Sequence, residues 1–228
     1  MKTLILDVET ENTGHDVIAD NKRIISVQIG NSTNQELWYA DAPGHDRSLA
    51  RAKERINSLI EGGTVFSGYN ITGFDIPILE KFLDVKIPAR NLLELSKTDL
   101  VSNICQQRSR NTLRLEDVCA HLGIDSHHKD EMNQIAEGYK TRPEIVSQAR
   151  EAARDLASRR GWGLDFSIRY AVDKIAGGHA IFDSYKEFIT SNGSEDTLFY
   201  RYAVGDIISE YKLLIHTRKN SRALMIKL

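Results

Sequence analysis

The chain has 228 residues, of which 41% are hydrophobic and 27% charged, a balance that predicts one folded domain over 1–228 and excludes a long disordered chain. Its 30 Lys and Arg against 32 Asp and Glu give a net charge of −2, so any surface for a polyanion must be local. The only cysteines, Cys105 and Cys119, are too few for a disulfide scaffold, and no apolar run reaches the length of a membrane span.

Short apolar runs separated by polar turns predict four β-strands in the first 70 residues. The first three have the order of an opening meander and the fourth follows a helix. The predicted strands are Thr3–Val8, Arg23–Gly30, Glu36–Ala40 and Val65–Tyr69, and the helix is Ser48–Leu59, stopped by a Glu-Gly-Gly sequence.

The remaining chain is predicted to be mainly helical. One helix starts near Asp75, which can cap it, with Pro77 in the first turn where its missing N–H costs nothing. Apolar residues at helical spacing predict three more helices, at Leu113–Leu122, within the Ala- and Arg-rich stretch from about Tyr139 to Asp173, and at Leu198–Ile215.

Two carboxylates end the first predicted strand. Asp7 and Glu9 are two residues apart and therefore lie on the same face of a strand. Buried side by side they repel each other and lose solvation, a cost that a bound divalent cation removes. The alternative is an exposed strand end with two solvated acids, which is the better interpretation for an isolated pair.

Two further acidic residues, Asp75 and Asp206, lie in predicted helices. Asp75 follows a polar loop at a helix start, where an ordinary N-cap is an equally good interpretation. Asp206 lies in the middle of the last helix, four residues after Tyr202, so that the phenol and the carboxylate share one face. An aspartate at such a position, surrounded by apolar residues, needs a partner.

Three motifs in this order resemble those of the DEDD exonucleases. They are D-x-E at Asp7 and Glu9, N-x-x-x-F-D from Asn70 to Asp75, and Y-x-x-x-D from Tyr202 to Asp206. The tyrosine places the resemblance in the tyrosine subgroup, which includes the proofreading modules of DNA polymerases and stand-alone phage relatives. The segment Lys97-Thr-Asp-Leu is similar to the strand that follows the second motif, and Leu113–Gly123 to the next helix. Tyr170 and Asp173 echo the third motif with a spacing one residue too short.

The resemblance implies an α/β fold of the ribonuclease H type, with a mixed central sheet flanked by helices. Residues around 136–195 depart from the family's pattern, being longer than the usual connection, and are expected to form a helical insertion. It also implies a metal-dependent 3′→5′ exonuclease that releases nucleoside 5′-monophosphates from single-stranded or frayed DNA ends. Asp7 would bridge two Mg²⁺ or Mn²⁺ ions, Glu9 and Asp206 would complete the first, and Asp75 would support the second. Tyr202 would orient the attacking water. The expected substrate-binding residues are Thr10, Asn70 and Phe74.

The same resemblance sets the expected partners and the alternatives. DNA is the preferred partner with RNA possible, a separate polymerase or replication protein is a further candidate, and no membrane is involved. The expected compartment is the cytoplasm of a bacterium or of a phage-infected host. An exoribonuclease and a catalytically silent module that binds nucleic acid or a polymerase remain open alternatives.

Overall fold

A five-stranded mixed sheet forms the centre of the fold. In the computed structural model, residues 2–11, 23–126 and 128–225 are described, the last five by their backbone only. Strand order across the sheet is β3-β2-β1-β4-β5; β1 pairs with β4 and β4 with β5 in parallel, whereas β2 and β3 are antiparallel. The strands are β1 (Thr3–Glu11), β2 (Arg23–Gly30), β3 (Gln35–Tyr39), β4 (Val65–Gly68) and β5 (Leu92–Glu94). The predicted ribonuclease H-like sheet is confirmed.

Parallel pairing of β1 with β4 brings the carboxyl ends of both strands to one edge of the sheet. Ile5 pairs with Ser67, so the residues that follow Ile5 in β1 and Ser67 in β4 lie next to each other at this edge. Leu4, Ile5 and Leu6 are buried because β1 is the central strand, which holds its carboxyl end in a fixed position.

Helices pack around the sheet and continue after it. Ser48 caps the first by accepting a hydrogen bond from the Arg51 N–H, and Gly123, with φ of 66°, ends the fourth in the left-handed conformation. The helices of this part are α1 (Leu49–Glu61), α2 (Asp75–Leu83), α3 (Asp99–Gln107) and α4 (Leu115–Leu122).

The predicted helical insertion is a group of long helices. Small and aliphatic side chains at helical spacing, Ala149, Ala152 and Leu156 among them, are buried against the neighbouring helices. The helices of this group are α5 (His128–Lys140), α6 (Pro143–Arg160) and α7 (Leu164–Thr190). The C-terminal helix α8 (Leu198–Met225) follows them and runs ten residues beyond its predicted end. Tyr170 and Asp173 are residues of α7, and Asp173 forms an ion pair with Lys140 at 2.7 Å.

Contacts group the described residues into two compact units. The sheet unit comprises Met1–Val8, Ser26–Ser126 and Ala203–Leu228, and the helical unit comprises Glu9–Ile25 and His127–Tyr202. The boundaries fall inside β1 and α8, which are continuous elements. A single domain over 1–228 stays a prediction.

One predicted strand is wrong. The segment from Lys97 to Leu100 is not extended: Lys97 ends a 3₁₀ turn and Asp99 begins α3, with Thr98 as the extended residue between them. The strand that pairs with β4 is β5, which starts at Leu92, five residues before Lys97.

Among the helices that the structure describes, none is long and apolar enough to span a membrane.

Candidate metal centre

Three carboxylates meet at the carboxyl end of β1. One oxygen each of Asp7, Glu9 and Asp206 lies within 4.8 Å of the other two. The strand places Asp7 and Glu9 on one face, and α8 supplies Asp206, whose exposed fraction is only 6%. Oxygen ligands on opposite sides of one Mg²⁺ or Mn²⁺ ion are about 4 to 5 Å apart, so this spacing suits a single hard cation.

Asp75 is bound to the first strand and does not cap its helix. Phe74 is the N-cap residue of α2, without a side-chain cap bond, and Asp75 is the first helical residue. Its Oδ1 accepts the Val8 N–H at 3.0 Å, across 67 residues of sequence. The N-cap interpretation is therefore wrong: Asp75 is the first helical residue, and its Oδ1 is bound to the peptide of β1. Burial, followed by the negative charge of Asp7, raises the pKa of Asp75 well above its usual range.

A buried glutamate that the motifs do not contain joins these acids. Glu210 lies one turn beyond Asp206 on α8 and is 4% exposed. Burial, and then the charges of Asp7, Asp206 and Asp75, raise its pKa well above the ordinary value. The four-residue spacing from Asp206 is the one sequence signal that could have identified it.

The acids fit a divalent cation on the chemistry of the donor set. All are hard oxygen donors, they are crowded and poorly solvated, and within the described parts of the chain the buried Glu210 Oε2 has no hydrogen-bond partner. Burying several acids together costs free energy when no cation is bound, and becomes favourable once positive charge is present. Asp7, Glu9 and Asp206 could hold the ion, with Asp75 beside them.

A second glutamate, Glu94 at the end of β5, fixes the loop that leads to Asp75. Its Oε1 accepts the Asn70 N–H at 2.7 Å, and its Oε2 accepts the N–H of Thr72 at 3.0 Å. Burial raises the pKa of Glu94, but hydrogen bonds from Ser96 and Thr72 outweigh it, and the net pKa is below the ordinary value. The carboxylate therefore stays ionised and holds the loop.

The loop is also fixed by its own backbone. Asn70 has a positive φ of 63°, a conformation that asparagine tolerates better than most residues. A Cβ on Gly73 would lie 2.5 Å from the Asn70 Oδ1, so a side chain at position 73 would require the Asn70 side chain to move.

Glu94→Gln is expected to lower the free energy of unfolding by about 2 kcal/mol, since a neutral amide replaces an ionised acceptor of several N–H groups. Urea unfolding followed by circular dichroism measures the change. Glu61→Gln, at an exposed glutamate at the end of α1, is the control and should unfold with wild type. Equal midpoints for Glu94→Gln and wild type would contradict the anchoring role.

Tyr202, the remaining residue of the third motif, lies one turn before Asp206 on α8 and is partly buried. The centroid of the Tyr202 ring is 6.2 Å from that of the His128 ring, and the Lys129 ammonium lies 5.7 Å from the Tyr202 centroid. It packs against the buried cluster of the helical unit that contains Met132. Helical spacing places it on the same face of α8 as Asp206.

The three predicted substrate-binding residues have different environments. Thr10 is buried near the end of β1, Asn70 is exposed in the loop before α2, and Phe74 is partly exposed at the start of that helix. Their roles in binding substrate stay predictions.

Comparison with known proteins gives one family. A family model described as RNase_H superfamily matches residues 4–139, which include β1, the loop before α2, and Asp7, Glu9 and Asp75. The matched region ends before Tyr202 and Asp206. Comparison with curated proteins and with solved structures found no match. The matched family, the mixed sheet and the acids at its edge agree, and the chain belongs to the RNase H superfamily.

Proposed function

We propose that the protein is a metal-dependent 3′→5′ exonuclease of the tyrosine-type DEDD group, acting on DNA ends. Membership of the RNase H superfamily supports a nuclease and hence a nucleic acid substrate. The observation that carries the finer proposal is the convergence of Asp7, Glu9 and Asp206, two of them from the start of the chain and one from its last helix, within 4.8 Å.

In this proposal Asp7, Glu9 and Asp206 hold a divalent cation, and Asp75 supports a second. Mg²⁺ or Mn²⁺ bound there would acidify a coordinated water and stabilise the charge that develops on the phosphodiester. The protein contributes the fixed position of the acids. β1 holds Asp7 and Glu9, and the hydrogen bond from the Val8 N–H holds Asp75.

The phenol and the loop residues act on the substrate. The Tyr202 hydroxyl forms a hydrogen bond with the attacking water and thereby orients that water toward the terminal phosphodiester. Asn70 and Phe74, on the loop that Glu94 anchors, contact the terminal nucleotide, with the aromatic ring against a base. Thr10 lies next to Glu9 on β1, where a backbone or hydroxyl group could bind the same nucleotide.

The direct test uses single-stranded DNA labelled at its 5′ end, incubated with Mn²⁺. The proposal predicts stepwise shortening of the labelled strand and release of nucleoside 5′-monophosphates. A circular single strand of the same sequence is the control and should stay intact. Internal cleavage of the circle, or release of the 5′ label as a mononucleotide at early times, would contradict the proposal.

Tyr202→Phe is expected to lower kcat by about 10- to 100-fold and leave KM within about threefold, because the lost hydroxyl orients the water and does not bind DNA. Single-turnover and steady-state rates on the same oligonucleotide separate the two effects. Tyr170→Phe, at the tyrosine of the imperfect third-motif copy in α7, is the matched control and should keep wild-type rates. A Tyr202→Phe enzyme with unchanged kcat would remove the phenol from the mechanism.

The nucleic acid and the partners are also proposals. Matched DNA and RNA oligonucleotides compared at equal concentration decide between a deoxyribonuclease and an exoribonuclease, which differ in their response to the 2′-hydroxyl. A separate polymerase or replication protein and a cytoplasmic location stay predictions. Turnover of either oligonucleotide would exclude the catalytically silent module.

A further inference from the structure

Glu210 is the second acid on the inner side of α8, and the proposed mechanism leaves it without a role. It is 4% exposed, one helical turn from Asp206, and the charges that act on it are those of Asp7, Asp206 and Asp75. A glutamate is seldom buried at this level without a partner of opposite charge. Its position therefore needs an explanation.

The Glu210 carboxylate is only partly bound by the residues that the structure describes. The Tyr69 N–H, at the end of β4, donates a hydrogen bond to it. The second oxygen, Oε2, is buried and has no hydrogen-bond partner within the described ranges. The bond to Tyr69 connects α8 to the loop before α2, just as the bond from the Val8 N–H to Asp75 connects β1 to α2.

A structural role for Glu210 does not account for its charge. The amide oxygen of a glutamine would accept the Tyr69 N–H equally well and would add no negative charge beside three other acids. A buried carboxylate with an unsatisfied oxygen costs free energy that the fold does not recover from Tyr69 alone. The charge is favourable only when positive charge is bound nearby.

We propose that Glu210 is a fifth acidic residue of the cation site, a positioning residue that raises the affinity for divalent metal. The inference rests on the proposed function, because it requires a cation beside Asp7 and Asp206. Glu210 is not one of the three acids whose oxygens lie within 4.8 Å of one another. Its Oε2 would accept a hydrogen bond from water bound to the cation, and its charge would add to the negative potential of the site.

Glu210→Gln tests the inference by metal binding, independently of activity. Isothermal titration of the metal-free protein with MnCl₂ should show an affinity about 10- to 100-fold below wild type, as for other residues that act on a metal through its ligands. The metal-free variant should melt at or above the wild-type temperature, since burial and three neighbouring acids already disfavour a charge on Glu210 and the amide retains the acceptor for Tyr69. Glu187→Gln, at an exposed glutamate of α7, is the matched control.

The outcomes separate this inference from the proposed function. Wild type and Asp206→Asn are titrated in parallel, and Asp206→Asn should bind least. Equal Mn²⁺ affinity in wild type and Glu210→Gln overturns the role of Glu210 and leaves the cation site standing. Weaker affinity together with a lower melting temperature of the metal-free variant also overturns it, because Glu210 then holds the fold. Wild-type protein that binds no Mn²⁺ overturns the cation site and the proposed function as well.

Discussion

Asp7→Asn is expected to reduce the rate of phosphodiester hydrolysis by at least about a thousandfold, equivalent to about 4 kcal/mol of transition-state stabilisation. Asp7 interacts with each of the other acids: one of its oxygens lies within 4.8 Å of an oxygen of Glu9 and of Asp206, and its charge acts on Asp75 and Glu210. An amide in its place is a weaker, neutral ligand. Initial rates on labelled DNA at saturating Mg²⁺ measure the effect.

The same substitution should not unfold the protein. Removing the charge of Asp7 relieves repulsion with Asp75 and Glu210, so the metal-free variant should be as stable as wild type or more stable, by roughly 1 kcal/mol. Asp46→Asn, at an exposed aspartate before α1, is the control and should retain full activity. Wild-type turnover by a folded Asp7→Asn protein would exclude the carboxylate cluster as the active site.

Removal of divalent metal is the second change with a large expected effect. EDTA should abolish hydrolysis, and Mg²⁺ or Mn²⁺ should restore it, because the bound cation is the group that activates the attacking water. Binding to the folded state alone also stabilises it, by about 2.7 kcal/mol at a Mn²⁺ concentration 100 times the Kd. For a chain of this length, that corresponds to a rise in Tm of roughly 5–10 °C.

Asp7→Asn is the internal control for the thermal experiment. The variant should show little or no rise in Tm with Mn²⁺, whereas Asp46→Asn should behave as wild type does. A similar rise in Tm for Asp7→Asn and wild type would mean that the stabilising metal binds elsewhere. Full activity in EDTA would contradict a metal-dependent reaction altogether.

Local patterns predicted the parts of the fold in which each residue responds to its own neighbours. The apolar run of β2 gave its exact bounds, Arg23–Gly30, because both faces of that strand are buried. The alternation of side chains along β1 predicted that Asp7 and Glu9 share one face. Apolar spacing in the Ala- and Arg-rich stretch predicted a helix there, and the buried residues of α6 lie at that spacing.

Long-range contacts account for what the local patterns missed. Asp75 has the sequence context of an N-cap, yet its carboxylate is bound by the N–H of Val8, a donor that only the folded sheet brings close. Glu94 is isolated in sequence but accepts hydrogen bonds from Asn70 and Thr72, more than 20 residues away. No periodicity in the sequence contains this information.

Glu210 was missed for a different reason. It follows Asp206 at helical spacing, but the motif that identified Asp206 ends there, and a single glutamate on a helix is ordinarily a surface residue. Its burial depends on how α8 lies against the ends of β1 and β4, which composition and spacing do not specify.

A crystal soaked with Mn²⁺ and a nucleoside 5′-monophosphate gives the most direct test of the cation site. The structure predicts an anomalous scattering peak bounded by Asp7, Glu9 and Asp206, with the phosphate of the nucleotide beside it. Well-diffracting crystals with no peak among these carboxylates, or with Mn²⁺ bound only at other acids, would contradict the account.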